Sequence, residues 1–417
     1  MMKSTTAFVL LALVLVILIA WRWVHNEWLI SFLPTLGLFL AVFVVLLIAM
    51  PESRNSFRLI FILLPAQRAM QRGDYDAADA GLRRALALAE HTGRAADQNL
   101  GQVLFNLAEL HRLLGRYGEA ELLYVQALRH QREAFKPTHR LPIYTQHNLG
   151  VVYIVQGRFA DAEPICAAAV DQMIAQGGPT HTYTQVARCN LAKCWQGMGR
   201  FAEAEQLYNE VLQQLARSEW PDDQMTRCVC RHNLAEMLLD RGRLAEVGPL
   251  LQQAQAALDR TTLAGRQETA RLLHTEAELL RQQGQAAEAE TLNQQFMQQV
   301  AEVFPPQHPV QADGWLTQAR LRAAEEKLAE AADLYQRCWN VWEPLLAPEM
   351  PRRAPCGQEY ADVLRRLGRD AEAAQLTAKS REQPVWVQAA DNVPAKPQAY
   401  FLPLAASQRR NSFDKRL

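Results

Sequence analysis

Small, bulky and polar positions recur along this chain with a period of about 42 residues. One position in each period is a glycine, replaced once by glutamate, and successive members are 42 residues apart except for one step of 43: Gly73, Gly115, Gly157, Gly199, Gly242, Gly284, Glu326 and Gly368. Small residues lie seven positions earlier, at Ala66, Ala108, Gly150, Ala192, Ala235, Ala277, Ala319 and Ala361. Small residues and one valine lie five positions later, at Ala78, Ala120, Ala162, Ala204, Val247, Ala289, Ala331 and Ala373. This pattern predicts two amphipathic helices per period, joined by a tight turn at the glycine and closely packed at the two small positions. About eight such repeats fill residues 66–380.

Two continuous apolar runs precede the array. The second, Trp28–Met50, has 23 residues, about 34 Å as a helix, which exceeds a hydrocarbon core of about 30 Å. The first, residues 7–21, reaches a similar span when residues 22–24 join it. The chain therefore predicts a transmembrane hairpin at about 7–24 and 28–50, with a short tail at 1–6 and a connector at 51–65.

Positive charge gives the predicted orientation of the hairpin. Lys3 precedes it and Arg22 is the one basic residue in the short connecting loop, apart from His25. Four arginines follow the hairpin, at Arg54, Arg58, Arg68 and Arg72. Because basic residues stay on the cytoplasmic side, both ends of the hairpin are predicted to be cytoplasmic, with the repeats on that side. A cleaved signal peptide is the alternative for the first run, although Leu18 and Ala20 make a poor cleavage site.

Composition and motifs argue against an enzymatic activity and against nucleic-acid binding. The 417 residues are 49% hydrophobic, and 44 basic residues balance 44 acidic ones, so no basic surface is indicated. Seven cysteines, an odd number within predicted helices, indicate reduced thiols in the cytosol. Four of them lie on adjacent first helices and could suggest a zinc site, but their spacing on helices favours a role in packing: Cys189, Cys194, Cys228 and Cys230. No phosphate-binding loop or catalytic motif is present, so we predict a non-enzyme without cofactor, metal or small-molecule substrate.

The first helices carry the motif of a known family. An Asn-Leu-Ala or Asn-Leu-Gly sequence begins at Asn106, Asn148, Asn190 and Asn233. With the small columns and the Gly-x-aromatic turn, this pattern resembles the tetratricopeptide repeat, and the long unit resembles repeats of kinesin light chains and their bacterial relatives. His308-Pro309, with His139 and His181 in the same register, is similar to the residues that precede the first helix in that family. The resemblance covers roughly residues 59–380 and implies an all-α superhelical solenoid whose first helices line a concave surface.

The resemblance also implies that the asparagine column faces this groove and pairs with the backbone of an extended peptide. An asparagine side chain offers both an acceptor and a donor, which matches a peptide bond of any sequence. The alternative is that each asparagine braces the neighbouring helix, although asparagine is mildly unfavourable within helices. The predicted peptide-binding residues are Asn106, Asn148, Asn190, Asn233, Tyr144, His147, Glu109 and Lys193. Later repeats replace the asparagine with Thr275, Thr317 and Glu359.

The segment 381–417 leaves the repeat pattern and contains several prolines, which predicts a flexible tail. Trp386 and the pair Tyr400-Phe401 suit either a solvated tail or one that folds back onto the concave surface and blocks it.

These features together predict a membrane-anchored scaffold that binds a cytosolic protein or peptide in the concave groove of its repeats. The alternative is a structural subunit or assembly factor of a larger membrane complex, contacting its partners through the hairpin or the convex face.

Overall fold

The computed structural model describes residues 51–91, 96–136, 139–216, 218, 220–348 and 350–382. Within these ranges the chain forms sixteen α-helices and no β-strand. The helices are α1 (Pro51–Arg72), α2 (Tyr75–Ala89), α3 (Ala96–Leu113), α4 (Tyr117–Ala134), α5 (Arg140–Gln156), α6 (Phe159–Gly177), α7 (Thr182–Gly197), α8 (Phe201–Leu215), α9 (Pro221–Asp240), α10 (Leu244–Ala256), α11 (Leu263–Gln282), α12 (Ala286–Val303), α13 (Gln311–Ala324), α14 (Leu328–Trp342), α15 (Arg353–Arg366) and α16 (Asp370–Lys379).

Odd-numbered helices are the first helices of eight repeats, and even-numbered helices are the second. The predicted transmembrane hairpin at 7–24 and 28–50 lies outside the described residues. Among the helices that the structure does describe, none is long and apolar enough to cross a membrane. The all-α array is thus observed, whereas the hairpin stays a prediction.

The turn inside each repeat has the conformation that its glycine predicts. The seven column glycines have positive φ, for example 83° at Gly157 and 79° at Gly199. Glu326, at the eighth position, is the one non-glycine residue with positive φ among the described residues, at 62°. A side chain with a Cβ is strained in this left-handed region, which is why glycine occupies the other seven turns.

The small residues sit where paired helices meet. The alanines of both columns are between 0% and 2% exposed, and Val247 is 0% exposed. Large aromatic side chains fill the space between neighbouring repeats, and Tyr124, Tyr208 and Tyr335 are at most 2% exposed. The close packing predicted from the two columns is confirmed.

The histidines that precede three of the first helices act as caps or turn residues. His139 Nδ1 accepts a hydrogen bond from the Leu141 backbone N–H at 3.2 Å, and His181 Nδ1 accepts one from Tyr183 at 3.3 Å. His308 Nδ1 accepts the equivalent bond from Val310 at 3.2 Å. An acceptor at this position satisfies a backbone donor that the helix leaves free, so the shared register of these histidines has a local structural cause.

The array curves enough for its second coil to touch its first. Gly73 lies against Leu263, Gly115 against Pro309, and Gly157 against Met350. These partners are 190, 194 and 193 residues apart (263 − 73, 309 − 115 and 350 − 157). One coil therefore takes about four and a half repeats of 42 residues.

Two further contacts confirm that the coils are joined. The Ala347 N–H donates to the Gln156 carbonyl oxygen at 2.7 Å. One continuous apolar core also includes Tyr124 and Ile165 of early repeats together with Trp342 and Tyr360 of the last two.

Candidate binding groove

The first helices form the inner face of the coil. Successive first helices pack against each other at six of the seven junctions, whereas no comparable packing joins successive second helices among the described residues. An array curves towards the side whose elements are closer together. Residues on the exposed side of the first helices therefore lie on the concave surface, as the family resemblance implied.

The asparagines on this face already have partners inside the array. Asn106 and Asn148 are 3% and 2% exposed, Asn190 is 6% exposed and Asn233 is half-buried. Each carboxamide bonds to the first helix of the preceding repeat: Gln67 Nε2 to Asn106 Oδ1 at 3.0 Å, Asn148 Nδ2 to Glu109 Oε1 at 2.5 Å, Asn190 Nδ2 to His147 Nε2 at 2.7 Å, and Asn233 Nδ2 to Cys189 Sγ at 3.6 Å.

The same column continues this arrangement where asparagine is absent. Thr275 Oγ1 lies 2.8 Å from His232 Nε2, and Thr317 Oγ1 donates to Glu278 Oε1 at 2.7 Å. Glu359 accepts from the Arg320 guanidinium at 2.8 Å. We call these contacts between successive first helices the inner ladder. Its members are Asn106, Asn148, Asn190, Asn233, Thr275, Thr317 and Glu359, with their partners.

The four other predicted site residues have different surroundings. Glu109 and His147 are 8% and 1% exposed, and both are partners in the inner ladder. Glu109 also accepts from the Tyr124 hydroxyl and, at 3.2 Å, from Arg112. Burial lowers the pKa of His147 well below its usual range. The side chains of these two residues are therefore buried and hydrogen-bonded within the inner face.

Tyr144 and Lys193 keep more of their surface open. Tyr144 is half-buried and meets Tyr183 edge to face, with 5.7 Å between the ring centroids. Lys193 Nζ forms an ion pair with Glu236 Oε2 at 2.8 Å, between the first helices of repeats four and five.

Charged residues that the sequence analysis did not single out surround Lys193. Arg352 pairs with Asp313 at 2.8 Å, and it also lies close enough to Glu236 and Asp240 for these carboxylates to raise its pKa. Asp240 is open to solvent, one turn beyond Glu236 on α9. We call Lys193, Glu236, Asp240, Asp313, Arg320 and Arg352 the inner charge cluster.

The two carboxylates of this cluster on α9, Glu236 and Asp240, have pKa values shifted in opposite directions. Glu236 has a pKa well below its usual range because Lys193, His232 and Arg352 outweigh the effect of burial. Desolvation inside the coil and the nearby Glu236 carboxylate instead raise the pKa of Asp240, despite Lys193, Arg352 and Arg320. Asp240 is thus a carboxylate whose negative charge is only partly neutralised. The sequence alone could have identified Glu236 as a site residue, because it lies three positions after Asn233, as Lys193 lies three positions after Asn190.

The cysteines are buried, and six of the seven lie in pairs between neighbouring repeats. All seven are free thiols. Cys194 Sγ lies 3.7 Å from Cys166 Sγ, Cys230 lies beside Cys189, and Cys338 lies beside Cys356. No group of three or more potential ligands able to hold a metal ion occurs among the described residues. The predicted packing role agrees with this burial.

Comparisons with known proteins agree with the repeat pattern. Family profiles described as tetratricopeptide repeat match residues 103–134, 143–216 and 229–260. None of the curated proteins is detectably similar in sequence.

Solved structures match the chain at low sequence identity. The apo form of the quorum sensor NprR from B. thuringiensis is 13% identical, with 77% of this chain and 86% of that chain covered and a TM-score of 0.53, a likeness that concerns the fold alone. Nearly identical TPR-like repeats, described as kinesin light chain, from Podospora anserina are 22% identical, covering 48% of this chain and 95% of that one, at a TM-score of 0.35. Human IFIT1 with m7Gppp-AAAA is 13% identical, covering 80% of each chain, at a TM-score of 0.44. The matched profiles show that the chain contains tetratricopeptide repeats, and its described helices arrange them as an all-α solenoid.

Proposed function

We propose that this protein is a non-catalytic scaffold that binds an extended segment of a protein partner along the inner face of its coil. The single observation that carries the proposal is the inner charge cluster, in which side chains from repeats four, five, seven and eight meet on the concave surface. Both signs of charge are present there, so a segment with its own pattern of acidic and basic residues would find complementary groups.

The asparagine column has a defined place in this proposal. Asn106, Asn148, Asn190 and Asn233 form the floor of the groove, together with Glu109 and His147. Their carboxamides hold successive first helices in register through the inner ladder. A bound segment would have to share these hydrogen bonds or pass over them, so we expect selectivity to come from the more open residues, Tyr144 and Lys193 among those predicted, with Asp240.

We further propose that residues 7–50 anchor the scaffold in a membrane with the repeats on the cytoplasmic side. Confinement at a surface raises the effective concentration of whatever the groove holds, without any new contact. Because the native cysteines are buried, an exposed one must be introduced to test the orientation, for example Asn209→Cys on α8. The variant should be protected from a membrane-impermeant thiol reagent in intact cells and labelled after lysis. Labelling without lysis would contradict the cytoplasmic placement.

The groove is tested by selecting peptides from a random library with the full-length protein in detergent. The double variant Lys193→Glu with Asp240→Lys reverses two charges of the cluster and leaves the net charge unchanged. The selected peptides should bind it at least about tenfold more weakly, a loss of 1.4 kcal/mol or more. The matched control, Arg129→Glu with Glu210→Lys, makes the same exchange on exposed positions of the second helices α4 and α8 and should bind as the wild type.

Equal binding by the two double variants would contradict groove binding. A complex that still assembles around the inner-face variant would instead favour the alternative role, that of a structural subunit contacting through the hairpin or the convex face. Thermal unfolding of each variant separates lost affinity from lost structure.

A further inference from the structure

The contacts between the two coils follow a regular register. Each partner residue of the second coil comes shortly after the second helix of its repeat. Leu263 follows the last residue of α10 by seven positions, Pro309 follows that of α12 by six, and Met350 follows that of α14 by eight. The start of α11 and the next two connecting segments therefore reach back to the turns of repeats one, two and three in turn.

The turn of repeat four is the next in this series, and nothing in the described residues covers it. Apart from chain neighbours, no atom of those residues lies within 4 Å of the position where a side chain on Gly199 would begin. The residue before the turn also differs between repeats three and four. Gln156 is 0% exposed under the second coil, whereas Met198 is 41% exposed.

The aromatic residue after the turn also differs between repeats three and four. Tyr117 and Phe159 are 7% and 6% exposed, whereas Phe201 is half-buried, as is Tyr75 of repeat one.

One face of the Phe201 ring is covered by the Arg241 guanidinium, 4.7 Å from the ring centroid. The rest of this apolar surface would be stabilised by further cover. The surface formed by Met198, Gly199 and Phe201 is called here the open turn.

The chain itself supplies a segment at the required position. The last second helix, α16, ends at Lys379, and six to eight further positions lead to residues 385–387, which are Val-Trp-Val. Counted from the open turn, the coil separation of 190 to 194 residues leads to positions 389–393 (199 + 190 and 199 + 194). Both counts lead to the first part of the segment that follows the described residues.

We propose that residues 385–393 pack against the open turn and extend the contact between the coils by one repeat, with Trp386 as the principal apolar group. This site differs from the concave surface, and it stands on the coil contacts alone, independently of the groove function. The occupant is this segment of the same chain. A second copy of the protein is the competing occupant.

The test is photo-cross-linking in the full-length protein, with p-benzoylphenylalanine placed at Met198. The expected product has the mass of one chain, and peptide mapping joins position 198 to residues 383–397. The same probe at Leu114, which lines the cleft beside Leu263 and Phe304, is the positive control and should join the segment around Pro305. The probe at Leu122, which is 52% exposed on α4, is the negative control and should not join the tail.

A second variant tests the role of the tryptophan. Trp386→Ser should lower the yield of the cross-link from position 198 several-fold and leave that from position 114 unchanged, because only the first depends on the tail. Three outcomes would overturn the proposal: a cross-link from 198 that joins two chains, one that maps elsewhere in the chain, or none at all while position 114 reacts. A probe at Asp240 that captures residues 385–393 instead would place the tail in the groove.

Discussion

Two sets of polar contacts join successive repeats, and they differ mainly in their exposure to water. The inner ladder links the first helices through buried groups such as His232 and Glu268, which are 4% and 3% exposed. A second set, called here the outer ladder, links the arginine after three of the turn glycines to a glutamate of the preceding second helix. Its members are Arg158–Glu121, Arg200–Glu163 and Arg243–Glu205. The outer ladder consists of ion pairs nearer the solvent, whereas the inner ladder consists mainly of buried hydrogen bonds.

The outer ladder itself changes along the coil. The arginine side chain is 9% exposed at Arg158, 36% at Arg200 and 42% at Arg243. Arg158 belongs to the last turn that the second coil covers, and its guanidinium also lies over the Tyr153 ring at 4.1 Å. Cover by the second coil therefore converts a surface ion pair into an enclosed one, although the local sequence is the same Gly-Arg-Phe at repeats three and four.

The largest expected effect comes from removing a charge partner in the inner ladder. His232→Ala leaves the buried Glu268 carboxylate without its 2.6 Å partner and deprives Thr275 of its contact. We expect a loss of about 2–3 kcal/mol in the free energy of unfolding, measured in urea, because the buried carboxylate keeps only Arg271, at 3.2 Å, as its charged partner. The matched control is His130→Ala, which breaks a His–Asp97 pair of similar length, 2.8 Å, with side chains 31% and 51% exposed. Similar losses in both variants would show that burial does not determine the cost of removing such a histidine.

The second largest effect is expected from acid, which should weaken the inner ladder. His232 and Arg271 lower the pKa of Glu268 to about 2 against the opposing effect of burial, and Arg320 and Arg281 do the same for Glu278. A depressed carboxyl pKa contributes stability above the unfolded value of about 4.3, and that contribution is lost as the pH falls towards 2.

The cap residue His308 acts in the same direction at higher pH. Burial, with Arg271 and Arg112 nearby, lowers its pKa to about 3. The folded state therefore prefers the neutral ring, and stability is lost as the pH falls from about 6.5 towards 3, where the unfolded chain binds the extra proton. The free energy of unfolding measured in urea at pH 7, 5 and 3 should fall steadily, by on the order of 2 kcal/mol in total or more. A stability that is constant from pH 7 to 3 would contradict these assignments.

The smallest effect belongs to the exposed end of the outer ladder. Arg243→Ala removes ion pairs to Glu205 and Glu246, both at 2.7 Å, but the groups are solvated and screened. We expect the smallest loss of stability among these variants, decreasing further in high salt. Arg158→Ala should cost more, since it also uncovers Tyr153 and leaves Glu121, which is 4% exposed, without its cation. Equal costs for the two variants would mean that the second coil does not enclose Arg158.

The parts of the structure that sequence could predict are those with a local cause. The turn glycines, the small columns and the buried tyrosines follow from one repeat and its neighbour, and each was in the pattern. The coil contacts were not, because Leu263, Pro309 and Met350 share no residue type and their positions depend on curvature summed over about four repeats.

The candidate site shows the same division. The asparagine column was evident, but its role was not, since the partners in the preceding repeat differ at each step: Gln67, Glu109, His147 and Cys189. Because the partner residues differ in type from repeat to repeat, they leave no recurring pattern in the sequence. The charge cluster was missed for a related reason, because Arg352 meets Glu236 and Asp240 only through the closure of the coil.

The contact between the coils has a mechanical consequence. An open solenoid behaves as a spring that extends and shortens by small changes at every junction. Here the coils already touch at Leu263, Pro309 and Met350, so the protein resists compression along its axis. Under tension these three contacts must part before the spring can lengthen, which predicts a stiff response at low force and a soft one after a threshold. A load applied along the axis of the coil would therefore be transmitted almost rigidly until that threshold is reached.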